Sequence, residues 1–231
     1  MNSNRSKARL AGIFYALMGS TGAFNVLYIP AAFVVPGDPG ATARRITESV
    51  LTYRLVVVSG LVSSIAFVLL VVTLYELFKD VDRTQGMLMV IFVTVAAAGG
   101  VVNLVNQIAP LLLLTGPDFL SAFSRPQLEA LALAFLRLNG YGNLLEEAFW
   151  GLWLFPLGIL VLKSRFVPRI LGSFLIAACV AYLASSFASI VLPAQGRIVS
   201  RAAIPFEALG ELSFLIWLLV GGAKRREPTP G

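Results

Sequence analysis

The sequence predicts an all-α, polytopic membrane protein: a bundle of six transmembrane helices with short interfacial helices in the outer loops. Three observations carry this reading. Of 231 residues, 58% are hydrophobic and 13% charged, against roughly 45–50% and about 25% in a soluble domain, and the mean hydropathy is +0.84. Such a chain lacks the polar surface to cover a water-soluble globule, and the same numbers exclude disorder. Six apolar stretches are each long enough to cross a hydrocarbon core of ~30 Å at ~1.5 Å per helical residue. Those stretches are continuous rather than alternating, unlike the two-residue period of membrane β-strands.

The stretches lie at about 10–34, 51–78, 86–114, 143–162, 168–192 and 204–222. They define one transmembrane domain over 1–222, and 223–231 reads as a disordered cytoplasmic tail rich in glycine, proline and charge. Arg5, Lys7 and Arg9 before the first stretch resemble the basic start of a signal peptide. The apolar run continues well beyond a signal core without a small-x-small cleavage site, so it reads as an uncleaved first helix. Gly37-Asp38-Pro39-Gly40 is a turn cluster, followed by a short helix from Ala41 to Val50. The inner loops, Lys79–Gln85 and Lys163–Val167, are short, as between antiparallel neighbours. Ser124-Arg125-Pro126 opens an amphipathic interfacial helix, Gln127–Leu138, with Ser124 as its cap. Asn139-Gly140-Tyr141-Gly142-Asn143 then marks either a hinge before the fourth span or a place where two helices come close. Pro110 and Pro156 predict kinks. Ala177, Ala181, Ala184 and Ala188 predict a small-residue packing stripe on the fifth span.

The net charge of +6 is distributed as membrane topology requires, in short clusters at the ends of apolar segments. No basic stripe with interleaved aromatics suggests nucleic acid; the expected partner is the lipid bilayer, and a homo-oligomer stays open. With the N-terminus inside, the inner segments carry eleven Lys and Arg residues against seven outside, and all four lysines are inside. Both termini are therefore expected in the cytoplasm, with the chain in the cell's inner (plasma) membrane. There is no histidine, which removes histidine-based nucleophile pairs, zinc sites and haem ligands. The single cysteine, Cys179, forms no intramolecular disulfide and reads as a small buried apolar residue. No catalytic residue, metal site or cofactor is expected.

Polar residues within the spans recur at one depth. Glu146 and Glu147 precede Lys163 by 17 and 16 residues, and Glu207 and Glu211 precede Lys224 by 17 and 13. Asn25, Asn103 and Gln107 fall at a similar height, ~20–30 Å above the inner edge, and Arg54, Tyr141 and Asn143 reach the same layer. Glu207 and Glu211 are four apart and share a helix face, as do Asn103 and Gln107, and as do Asn139, Asn143 and Glu147. Inward-pointing, these faces would build a polar pocket opening outward, with Glu211, Glu207, Glu147, Glu146, Asn103, Gln107, Asn143 and Arg54 as its candidate ligand-binding residues. Four carboxylates in one layer cannot all stay ionised without cations, for which Arg54 and Arg137 are the nearest candidates. The competing reading is structural: Glu207 as a helix-start acid beside Pro205, Arg54 snorkelling, and the amides joining helices.

Three passages resemble a known family. They are Arg9-Leu10-Ala11-Gly12-Ile13-Phe14-Tyr15; Gly151-Leu152-Trp153-Leu154-Phe155-Pro156-Leu157-Gly158, running on through Lys163-Ser164-Arg165-Phe166-Val167-Pro168-Arg169-Ile170-Leu171-Gly172; and Gly210-Glu211-Leu212-Ser213 to Trp217-Leu218-Leu219-Val220. Together they resemble the bacterial membrane family known as "domain of unknown function 4386". The resemblance implies an integral, multi-helix bacterial membrane protein and supplies no reaction, cofactor or site residue. Glu146-Glu147 has a superficial likeness to the glutamate pair of intramembrane prenyl-protease-like proteins. Gly151 stands where that pattern has arginine, and the required histidines are missing.

Three functions fit these residues. The first is binding, with transport or sensing, of a cation or small polar solute in the outward pocket. The second is a structural or accessory membrane subunit whose polar layer only fixes the bundle. The third is a lipid-modifying enzyme of the outer leaflet with Glu147 or Glu211 as base.

Overall fold

The computed structural model describes the backbone of residues 2–116 and 118–221 and the side chains of 5–116 and 118–220. The expected 223–231 tail lies outside the described residues. Eight α-helices follow one another among those residues, with no strand: α1 (Asn2–Tyr28), α2 (Pro39–Glu48), α3 (Val50–Phe78), α4 (Arg83–Thr115), α5 (Arg125–Leu152), α6 (Leu154–Lys163), α7 (Arg169–Val191) and α8 (Pro193–Ile216). Wider π turns continue α1 over Ile29–Phe33 and α8 over Trp217–Gly221. Six helical segments are long and apolar enough to cross a membrane: Arg5–Phe33, Val50–Phe78, Arg83–Thr115, Arg125–Lys163, Arg169–Val191 and Pro193–Val220. Large apolar side chains face outward along them, Leu51 and Val102 at 71% exposure and Val220 at 70%. Only a lipid solvent makes such a surface favourable. The chain is a multi-pass helical membrane protein.

Local chemistry explains most helix ends. Gly37 takes φ +80°, and Asp38 Oδ1 accepts the Ala41 amide at 2.8 Å, so the expected turn hands directly into α2. At Ser124 the capping runs backwards from expectation. Its amide donates to Gln127 Oε1 (2.8 Å), and the Ser124 carbonyl accepts the Gln127 amide.

One expected boundary is corrected. The interfacial helix at Gln127–Leu138 and the fourth span are one helix, α5, which runs through Gly140 and Gly142 without a hinge. The break comes instead at Trp153, where the Trp153→Phe149 and Leu157→Trp153 backbone bonds both stretch to 3.4 Å. Pro156 explains it, since it has no N–H for the Leu152 carbonyl and its ring crowds that carbonyl. The alanine stripe is also corrected. Ala177 and Ala184 of α7 are exposed, and the buried face carries Leu175, Ala178, Cys179, Ser185 and Ser186.

Packing separates the chain into two compact units. The first draws on residues in 1–16, 66–96 and 147–231, the second on 17–65 and 97–146. In the first unit α6 and α8 pack on α7. Its core is filled by Trp153, Phe78, Phe214, Leu70, Leu74, Leu154, Leu157, Leu160 and Leu175, all nearly fully buried. The second unit has its own cluster: Ile29, Phe33, Ala43, Ile46, Tyr53, Val56, Leu114, Ala132 and Leu136.

Candidate functional site

In the first unit the polar centre is Glu211 on α8. Its Oε2 accepts from Tyr15 Oη at 2.8 Å and its Oε1 from Tyr182 Oη at 2.5 Å, so one phenol grips each carboxylate oxygen. The backbone is shaped for this. A Cβ on Gly210 would sit 2.7 Å from Ala178 Cβ and 2.8 Å from the Phe174 carbonyl, and one on Gly151 would sit 2.5 Å from Tyr182 Cβ. Glycine at both places lets α8 and α5 come close to α7, and that closeness brings Tyr182 to Glu211. Tyr15 is held by Trp153, whose ring meets it edge-on at 5.7 Å and meets Phe67 at 5.2 Å; such pairs contribute about 0.5–1.5 kcal/mol each.

Two more carboxylates belong to this cluster. Glu207, one turn before Glu211, lies within electrostatic reach of Glu147 and Glu211, and Tyr182 within reach of all three. Glu147 has Ser185 as its polar neighbour, and Ser185 donates to Ser200 at 2.8 Å. Glu207 Oε1 is buried and has no hydrogen-bond partner. Among the described residues no lysine or arginine pairs with any of these acids. Nor do three acidic or thiol side chains come together in a spacing that would hold a metal ion.

The second unit holds the amides, and they bond to one another. Asn25 and Gln107 exchange side-chain bonds in both directions (2.9 and 3.0 Å), and Asn25 Nδ2 also reaches the Val56 carbonyl at 2.8 Å. Gln107 Nε2 donates to Asn139 Oδ1 (3.2 Å). Asn103 Nδ2 donates to Asn143 Oδ1 (2.9 Å) and to the Asn139 carbonyl (3.1 Å), while Asn103 Oδ1 accepts from Asn106 (3.0 Å). Tyr53 Oη donates to the Gln107 carbonyl (2.8 Å) beside Pro110. α1, α3, α4 and α5 are thereby tied together. Gly142 decides the open question about its segment: a Cβ there would fall 2.3 Å from Asn103 Oδ1, so this glycine serves close approach, whereas a Cβ on Gly140 would meet nothing within 4 Å. Glu146 packs against Gly99 and Gly100, with its Oε1 buried and lacking a hydrogen-bond partner.

Of the sequence candidates, then, Glu211, Glu207 and Glu147 come together in the first unit. Asn103, Gln107 and Asn143 join the amide network of the second, with Glu146 in the same unit. Arg54 and Arg137 are exposed and make no ion pair among the described residues. Sequence reasoning missed Tyr15 and Tyr182 as partners of Glu211 and Asn139 as the bridge between Gln107 and Asn103.

Residues 10–222 match DUF4386, a domain of unknown function. The chain belongs to the DUF4386 family. No curated protein and no solved structure matches it. The three passages that carry the family resemblance all lie in the first unit of this DUF4386 chain. Each supplies part of the acid–phenol cluster: Tyr15 from the first, Gly151 and Trp153 from the second, Gly210 and Glu211 from the third.

Proposed function

We propose that this protein binds a small organic cation, such as a protonated amine, at the cluster of Glu211, Glu207 and Glu147, and that binding serves its transport or its sensing. One observation carries the reading: three neighbouring carboxylates without a paired lysine or arginine among the described residues, one of them with a buried oxygen that accepts no hydrogen bond. Such an oxygen in a low-dielectric setting favours a donor carrying positive charge. Tyr15 and Tyr182 bring aromatic rings to Glu211, with Trp153 packed behind Tyr15, which suits an ammonium group better than a chelated metal ion. On this reading the site faces outward from the plasma membrane, both termini are cytoplasmic, and Glu211, fixed by two phenols, is the anchor while Glu207 and Glu147 meet the ligand. The eleven-to-seven excess of inner positive charge supports that orientation.

The test is calorimetric titration of purified protein with a panel of primary and quaternary amines, wild type against Glu211→Gln and Glu207→Gln. Binding weakened at least tenfold in both variants is expected. An amine that binds both variants as it binds wild type removes these residues from the site. A structural reading is favoured for the amide network of the second unit, whose donors and acceptors are already matched to one another; Glu146 of the same unit, with its unpartnered Oε1, stands outside that match.

A further inference from the structure

We propose that Glu146, together with Ser64, holds a sodium ion where α3, α4 and α5 meet in the second unit. Three helices wall this place. Glu146 comes from α5 and Ser64 from α3, and α4 passes between them with Gly99 and Gly100. A Cβ on Gly100 would sit 3.2 Å from Glu146 Oε2 and 3.4 Å from Ser64 Oγ, and one on Gly99 would sit 3.6 Å from Glu146 Cγ. A carboxylate oxygen and a hydroxyl oxygen therefore border the space that the missing Gly100 side chain leaves. That space is slightly tight for a methyl group, so it suits a small bare ion and excludes an organic ammonium.

The count of donors around the carboxylate points to a cation. Glu146 Oε1 is buried and accepts no hydrogen bond. Ser64 spends its hydroxyl hydrogen on the Gly60 carbonyl at 3.2 Å. Asn103, the polar neighbour of the Glu146 carboxyl, spends its two N–H groups on Asn143 Oδ1 and the Asn139 carbonyl. What Ser64 and Asn103 have left is oxygen lone pairs. A carboxylate among lone pairs in a low-dielectric setting is unfavourable until a positive charge joins them. Among the described residues no lysine or arginine pairs with Glu146. Carboxylate and hydroxyl oxygens are hard ligands, which select hard ions. One carboxylate balances one charge, so a monovalent ion leaves the site neutral, where a divalent ion would leave a net charge inside hydrocarbon. The site shares no residue with the cluster of Glu211, Glu207 and Glu147 and belongs to the other unit, so each reading holds or fails without the other.

Equilibrium binding of radiolabelled Na+ to the detergent-purified full chain, at constant ionic strength, tests this. Wild type is expected to bind the label saturably, with NaCl competing roughly tenfold better than KCl because the space favours the smaller ion. Glu146→Gln is expected to weaken binding about tenfold or more. Gly100→Ala should do the same with the charge intact, because its methyl takes the place of the ion, and Ser64→Ala should cost about threefold. Glu211→Gln is expected to stay within about twofold of wild type. Thermal unfolding of the same samples adds a second readout: Na+ should raise the Tm of wild type and leave that of Gly100→Ala unmoved. Wild-type affinity in Glu146→Gln or in Gly100→Ala overturns the proposal. So does a loss in Glu211→Gln as large as that in Glu146→Gln, which would put the ion at the acid–phenol cluster. Wild type without saturable Na+ binding overturns it as well and leaves a proton as the charge that completes Glu146.

Discussion

The amide network of the second unit and the acid–phenol cluster of the first use similar groups to opposite ends. Between Asn25, Gln107, Asn103 and Asn139 each side-chain N–H₂ and each side-chain oxygen engages a protein partner. Around Glu211 the acceptors outnumber the donors: three carboxylates face two phenols, and Glu207 Oε1 is left over. A closed set of donors and acceptors leaves nothing for a ligand and works as a clamp on helices. An open set in hydrocarbon is costly unless something completes it. Polar residues within the spans therefore do not form one class: the amides of the second unit are matched in donors and acceptors, and the acids of the first are not.

The sharpest way to break that contrast is to open the closed set. Gln107→Leu leaves the Asn25 and Asn139 amides short of partners, and we expect it to destabilise the protein by roughly 2–4 kcal/mol. Thermal unfolding in detergent reads this directly, and no amine should restore the loss. A Tm equal to wild type would show that the network is not a clamp. Next in size is a pair of glycine substitutions two residues apart. Gly142→Ala drives a methyl into Asn103, which three hydrogen bonds hold in place, and should cost about 1–3 kcal/mol. Gly140→Ala meets open space in the same helix and should be neutral or stabilising by up to ~1 kcal/mol. Equal effects from the two would mean that helix propensity, not close approach, governs the segment.

That pair also shows what the sequence could and could not express. Six spans, the Gly37 turn and α2 were legible because they rest on continuous hydrophobicity and local backbone chemistry, which a one-dimensional reading captures. The segment around Gly140 was ambiguous because a glycine admits a hinge and a close neighbour alike. Only the position of Asn103, 39 residues earlier in the chain, decides between them. The Trp153 break is the kink that Pro156 predicts; it falls upstream of the proline because Pro156 disturbs the carbonyl four residues before it. In the site, Glu207 and Glu211 were visible as rare ionisable groups on a shared face. Tyr15 and Tyr182 were not, because a tyrosine in an apolar run has the composition of core, and its hydroxyl acquires meaning only when a carboxylate is opposite. Tyr182 carried one usable signal, its place three residues after Cys179 and before Ser185 on a face of small polar and apolar side chains.

A smaller effect separates the two regions from the other side. Tyr15→Phe and Tyr182→Phe each remove one donor to Glu211 and should lower stability by only about 1 kcal/mol apiece. The same variants should shift amine binding at least threefold, because Glu211 loses its fixed orientation. Calorimetry and thermal unfolding on the same samples give both quantities. Stability losses as large as those of Gln107→Leu, with amine binding unaltered, would move the acid–phenol cluster into the architectural class.

The smallest effect comes from the edge of the first unit. There the Lys163 ammonium, 2.6 Å from Asp82 Oδ2, together with the Gln85 amide, holds the Asp82 carboxyl below its ordinary range. A carboxyl depressed in the folded state contributes stability above its unfolded value, near 3.8, and loses it as pH falls through the lower folded value. The pair is solvent-accessible and salt-screened, so its contribution is slight. Between pH 7 and pH 5 Asp82→Asn should differ from wild type by a small constant amount in Tm. Below about pH 4 the two curves should converge, since wild-type Asp82 then carries a proton as well. A gap that instead widens on acidification would show that Asp82 is held by something other than Lys163. Because no comparable cation among the described residues stands beside Glu211, acid should weaken amine binding at the cluster while the difference between Asp82→Asn and wild type shrinks, and the two pH responses are separable in a single titration series.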